Sequence, residues 1–188
     1  MPLKKVNYAL TAVVLCLGIG AISMAYQAMN NQEPMPKKIE VERKQFQSWT
    51  YACWQDGGGK GDDEERSCKV FQKITDDNGI NVLHAKVSLI GRDGVMLPRL
   101  QVIVPLGTFL PLGLSVHLSP QDPFTVPFQF CNEEGCFINL DLADDVVQML
   151  KQSQTLDISY RQKNRELVKY SIALKGFSDA LSCLVNRS

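Results

Sequence analysis

Apolar and polar residues alternate with a period of two along most of this chain, the pattern of half-buried β-strands. QFQSWTYACW, residues 45–54, sets Trp49, Tyr51 and Cys53 against Ser48, Thr50 and Ala52, and the first three are taken as the inward face. CKVFQKIT (68–75), INVLHAKVSLIG (80–91), Arg99 to Val104, Thr155 to Arg161 and Leu167 to Leu174 continue the β pattern. LGTFLPLGLSVHLS (106–119) adds a short strand between two Pro-Leu-Gly units and the SPQDP turn. Asp77-Asn78-Gly79, GRDG (91–94) and the polar stretch around Asn164 are the punctuating turns.

The most informative stretch is PFQFCNEEGCFINLD, residues 127–141. Phe128 and Phe130 alternate with Gln129, and Ile138, Leu140 and Leu142 alternate with Asn139 and Asp141. Asn132, Glu133, Glu134 and Gly135 make a hairpin loop, so Cys131 and Cys136 stand at the last rungs of two neighbouring strands. Helical spacing appears twice, in ADDVVQMLKQ (143–152) and in FSDALSCLV after Gly176. The first has Asp144 and Asp145 at its positive end and a stripe of Val146, Val147 and Leu150. The second repeats Phe177, Ala180, Leu181 and Leu184, so Phe177 and Leu181 are expected to dock it on the core. The expected fold is mainly β: a single compact β-sandwich or barrel with two short helices near the C-terminus.

The N-terminal pattern differs. Lys4 and Lys5 precede an uncharged run whose apolar heart extends from Tyr8 to Tyr26, an export signal. At about 19 residues it is long for a cleaved signal peptide and near the ~20 that cross a bilayer. Ser23 and Ala25 offer the small residues of a cleavage site, but a retained transmembrane helix is the expectation. The lysines then stay cytoplasmic and the rest lies on the periplasmic side of the inner membrane. Gly18, Ala21 and Ala25 would let a neighbouring membrane helix approach closely, the plainer reading being small residues facing lipid. Residues 1–29 are thus the signal or anchor, residues 30–45, with Pro34 and Pro36, a linker, and residues 46–188 one β-rich domain.

Composition narrows the function classes. The chain has 188 residues with 20 basic and 20 acidic side chains, a net charge of zero, so no nucleic-acid partner is expected. Cys16 follows Leu15, not the small residue of a lipid attachment site, and reads as part of the apolar helix. The other cysteines are Cys53, Cys68, Cys131, Cys136 and Cys183, and an exported chain oxidises them. Five cysteines allow fifteen pairings with one left over. Local pairing, Cys53 with Cys68 and Cys131 with Cys136, is expected, leaving Cys183 as a buried free thiol. Loop entropy gives about 3 kcal/mol for the first bridge and about 2 kcal/mol for the second.

Candidate chemistry is sparse. The cysteine spacings do not make a zinc knuckle, and two glutamates in the hairpin loop oppose the low thiol pKa that redox catalysis needs. His84 and His117 fall inside strands, where a lone histidine reads as solvent-facing or as a satisfied core residue. There is no Gly-x-Ser-x-Gly elbow. GGGKG lacks the spacing of a phosphate loop, and Asp62 to Glu65 lacks the alternating oxygens of a calcium loop. Of Trp49 and Trp54, one is expected to pack against the Cys53 disulfide and the other to face a partner. No cofactor, metal or catalytic residue is expected.

Five stretches in order carry a resemblance: WTYAC (49–53), a cysteine past a charged loop (Cys68), PLGTFLPLGLSV (105–116), PFQFC…GCF (127–137) and LKGFSDAL (174–181). Together they resemble the invasion-associated locus B family of exported bacterial proteins, over about Phe46 to Leu184. The resemblance implies a compact β-rich periplasmic or envelope domain, linked in some bacteria to host-cell invasion, with no catalytic residues to carry over. Cys53, Cys68, Cys131 and Cys136 match the family's cysteines by position; Cys183 does not. The resulting expectation is a non-enzymatic interaction or assembly module, anchored by its N-terminal helix and accessory to a membrane complex through a protein partner in the bacterial envelope. The alternative is a secreted or surface factor that contacts host cells and promotes invasion.

Overall fold

The computed structural model describes residues 38–56 and 66–187. The expected N-terminal helix with Gly18, Ala21 and Ala25, the linker as far as residue 37 and the acidic loop at residues 57–65 lie outside them. In chain order the strands are β1 (Lys38–Phe46), β2 (Trp49–Asp56), β3 (Ser67–Thr75), β4 (Asn81–Arg92), β5 (Val95–Val104), β6 (Leu114–His117), β7 (Phe124–Val126), β8 (Phe130–Asn132), β9 (Gly135–Asp141), β10 (Thr155–Arg161) and β11 (Leu167–Ala173). Helix α1 (Asp144–Gln152) stands between β9 and β10, and helix α2 (Phe177–Val185) follows β11. The strands form a seven-stranded sheet ordered β1-β2-β3-β4-β5-β9-β8 and a four-stranded sheet ordered β11-β10-β6-β7.

Four expectations change. The described residues make two sheets with separate edges, so the barrel alternative does not hold, and of their two α-helices α2 alone lies near the C-terminus, since β10 and β11 follow α1. Residues 38–45, expected as linker, belong to β1. This edge strand exposes Ile39 and Val41 as well as its charged residues, so no apolar face marks it as a strand; its charges suit an unpaired edge. Strand β5 starts four residues before Arg99 because Pro98 is tolerated. Pairing with β9 begins at Arg99, so Pro98 sits where β5 has β4 as its one neighbour.

The inner face of the large sheet is the apolar one. Trp49, Tyr51 and Cys53 of β2, Val70 of β3, Leu83, Ala85 and Val87 of β4 and Leu100, Val102 and Val104 of β5 are buried and join one cluster with residues of the small sheet and both helices. Gly176 makes the turn into α2 at φ +86°, and an added Cβ there would stand 2.1 Å from the Phe46 carbonyl oxygen. That close approach seats α2 on β1 to β4. Phe177, 1% exposed, meets Trp49 edge to face at 5.1 Å between ring centroids.

The two sheets are also joined by polar contacts. The edge strand β11 ends at Ala173, whose N–H donates to Gln72 Oε1 at 3.1 Å and whose carbonyl accepts from Trp49 Nε1 at 2.8 Å and Gln72 Nε2 at 3.3 Å. Gln72 Nε2 also donates to the Ser48 carbonyl at 2.8 Å. Gln72 is the buried polar side chain of the described residues, 9% exposed, and both ends of its amide are used.

Two substitutions test this packing by urea denaturation. Phe177→Ala removes the ring that docks α2 and should cost about 3–5 kcal/mol. Gln72→Leu keeps the volume but strands the Ala173 N–H, and should cost about 1–3 kcal/mol. An unchanged midpoint for either variant would show that its contact does not hold the sheets or the helix.

Candidate functional site

Cys53 and Cys68 are directly opposite across β2 and β3 and are joined, with Cα atoms 4.0 Å apart; Cys131 and Cys136, opposite across β8 and β9, are joined at the same separation. A disulfide commonly spans about 4.4–6.8 Å between Cα atoms. These fall just short because facing residues of antiparallel strands approach to about 4.5 Å. Tyr51 packs on the first bridge: its hydroxyl lies 2.8 Å from Cys53 Sγ and 3.6 Å from Cys68 Sγ. Cys183 is unpaired and half-buried on α2, against the core. His117 faces Asp157 across β6 and β10, with 3.7 Å between Nδ1 and Oδ2.

The outward face of the large sheet brings together residues that the sequence keeps apart. Register places Trp54 of β2, Lys69, Phe71 and Lys73 of β3, and His84 and Lys86 of β4 on this one side, with Lys73 opposite His84 and Phe71 opposite Lys86. Lys69 Nζ lies 4.4 Å from the Trp54 ring centroid and the Arg43 guanidinium 5.6 Å from that of Phe71. Phe71 in turn meets the His84 ring edge on at 5.7 Å. Farther along the face, Gln101 donates to Asn139 at 2.9 Å, and Arg99 and Arg92 hold Asp141 at 2.5 and 3.1 Å. Stacked cations and rings therefore cover the aromatic part of the face.

Charge is unevenly spread here although the chain is neutral. Lys69 and Lys73 make no ion pair among the described residues, and Lys86 reaches Glu134 of the β8–β9 turn at 3.5 Å. The Lys86 side chain is 17% exposed, Glu134 65%. The turn that supplies Glu134 is tight: Asn132 Oδ1 accepts from the Glu134 N–H at 2.8 Å, and Gly135 packs so closely that an added Cβ would stand 2.3 Å from the Val104 carbonyl oxygen. Burial, and then Lys86, Lys73 and Lys69, push His84 down from 6.5 to about 4. Its Nε2 is buried without a hydrogen-bond partner among the described residues. Burial and then Lys86 also lower Lys69.

A cavity of about 470 Å³ opens beside this cluster, lined by Lys73, Asn81, His84, Lys86, Glu133 and Glu134 among others. It shares Val82, Pro105 and Leu106 with a larger cleft of about 690 Å³, where Tyr160 and Tyr170 meet Lys163. The larger cleft has one cation and no cluster of charge, so the smaller cavity is the better candidate. The alternation in KVFQK and HAK puts each lysine on a strand face; the pairing of the two strands is what assembles the group.

The chain matches the family model described as Invasion associated locus B (IalB) protein over residues 49–184. No curated protein matches it. Among solved structures it is similar to the crystal structure of invasion associated protein b from Bartonella henselae, at 17% identity and a TM-score of 0.64, over 78% of this chain and 96% of that one. At that identity the likeness is one of fold.

The His84 environment has a direct reading in solution. Its ring should stay neutral until the pH nears 4, as followed by NMR titration. The folded value lies below the unfolded one, so the unfolded state takes up the proton first, and stability falls as the pH drops from about 6.5 towards 4. Lys86→Gln should move the titration up. A wild-type ring that titrates near 6.5 would contradict the cationic, desolvated setting.

Proposed function

The chain belongs to the invasion associated locus B family, and from that membership and its outward sheet face we propose that it is a non-enzymatic interaction module of the bacterial envelope. The observation that carries this reading is the layer of Lys69 on Trp54 and Arg43 on Phe71, flanked by Lys73 and Lys86, with no second layer of strands or helices on that side among the described residues. An open sheet face of rings and cations suits a broad macromolecular surface, since aromatic and cationic side chains supply contact energy there. In this reading the N-terminal apolar run anchors the domain on the periplasmic side of the inner membrane, where it serves a membrane complex. The second reading, a secreted factor that contacts host cells, is favoured by the family's description as invasion associated.

Cross-linking in cells followed by purification tests the first reading. Full-length wild type should capture one discrete membrane component, which a Lys69→Glu/Lys73→Glu variant loses and a Lys169→Glu variant on the other sheet keeps. Equal capture by all three would remove the outward face from function. N-terminal sequencing of the mature chain tests the anchor: an intact start supports it, whereas a start near Tyr26 removes it and leaves a soluble envelope protein.

A further inference from the structure

Lys69, Lys73 and Lys86 form a compact group. Lys86 lies opposite Phe71, so Lys69 and Lys73, two residues to either side of Phe71, are its diagonal neighbours across the strand pair, a spacing of about 7–8 Å. Like charges at such spacing repel, and the Lys86 side chain is mostly withdrawn from water, so screening there is weak. The counter-charge comes from the β8–β9 turn: Glu134 is largely exposed, on a two-residue turn, and 3.5 Å from the ammonium, and Glu133 lines the same cavity without an ion pair among the described residues.

We propose that the cavity between β3–β4 and the Glu133–Glu134 turn binds a phosphate group, held by Lys86 and Lys73, with Glu134 as the internal anion that the phosphate displaces. The proposal rests on the interaction role of this face and names the chemistry of what it meets. A carboxylate brings one charge and leaves the three lysines positive. A phosphomonoester brings about −1.5 to −2 and three acceptor oxygens, enough to bridge two ammonium groups, and lysine serves phosphate as a point charge. Asn81 lines the same cavity and offers an amide donor. His84 sits beside the lysines as a neutral group, and its buried Nε2 lacks a partner. The phosphate belongs either to a free phosphorylated compound or to a phosphorylated lipid headgroup.

Calorimetric titration of the full chain in neutral detergent tests this with two probes, inorganic phosphate and the same micelles doped with phosphatidic acid, whose headgroup is a phosphomonoester. Binding of phosphate assigns a free ligand, and binding of doped micelles alone assigns a headgroup. In either case Lys86→Gln should weaken binding by about tenfold or more, and Glu134→Gln, at an exposed position that spares the fold, should tighten it about two- to fivefold. Bound phosphate should also raise the pH at which the His84 ring protonates, which a purely structural role for the lysines would not do. No binding of either probe, or binding that either substitution leaves unchanged, overturns the proposal. If both probes fail while the Lys69→Glu/Lys73→Glu variant still loses its cross-linked component, the interaction role stands and the phosphate site falls.

Discussion

The small sheet must meet the large one through an edge strand, and a buried edge exposes backbone groups that have no partner in their own sheet. The structure meets that constraint at Ala173, where Gln72 takes both the N–H and the carbonyl and Trp49 adds a second donor to the carbonyl. The rest of the packing follows from this junction. It fixes the end of β11 over β2 and β3, and the chain then turns at Lys175 and Gly176, where the Ser48 N–H donates to the Lys175 carbonyl at 3.3 Å. Phe177 is thereby delivered onto Trp49. One tryptophan thus serves as a polar clamp through its indole nitrogen and as the floor of the helix site through its ring.

The large sheet uses its two faces differently. Its inner face supplies the apolar wall of the core. Its outer face has no covering layer of strands or helices among the described residues and is protected by its own side chains, with cations lying over rings at 4.4 and 5.6 Å and a polar ladder from Gln101 to Asn139 to Gln129. Lysine and arginine stems can shield apolar surface while their charges stay accessible. A face built this way is stable when bare and can still exchange its cations to a partner. The two disulfides fit the same plan: each ties facing positions of neighbouring strands of the large sheet.

Much of the fold was legible because strands and turns are local. The extents of β10 and α2 follow directly from alternation and from helical spacing, and the cysteine hairpin from its turn residues, although Asn132 and Gly135, expected in the loop, pair one rung beyond the cysteines and leave a turn of Glu133 and Glu134. Strand β1 was hidden because charges interleave with Ile39 and Val41 and the strand is exposed. The division into two sheets was hidden because pairing is non-local: β5 pairs with β9 and β6 with β10. The same reason hid the candidate site. Lys73 meets His84 because of a register that includes a shift between Ile74 and Thr75, which no local pattern encodes. The tryptophans were separable only by face: Trp49 points into the core and Trp54 sits under Lys69 on the outer side.

The central claim is that the outer face of the large sheet is where this protein meets the rest of the envelope. Amine labelling of lysines, read by mass spectrometry in intact cells and in the purified full chain, tests it most directly. The account predicts that Lys69 and Lys73 are protected in cells relative to the purified chain, while Lys169, exposed on the small sheet, labels equally in both. Equal labelling of Lys69 and Lys73 in the two settings, or protection confined to Lys169, would contradict it.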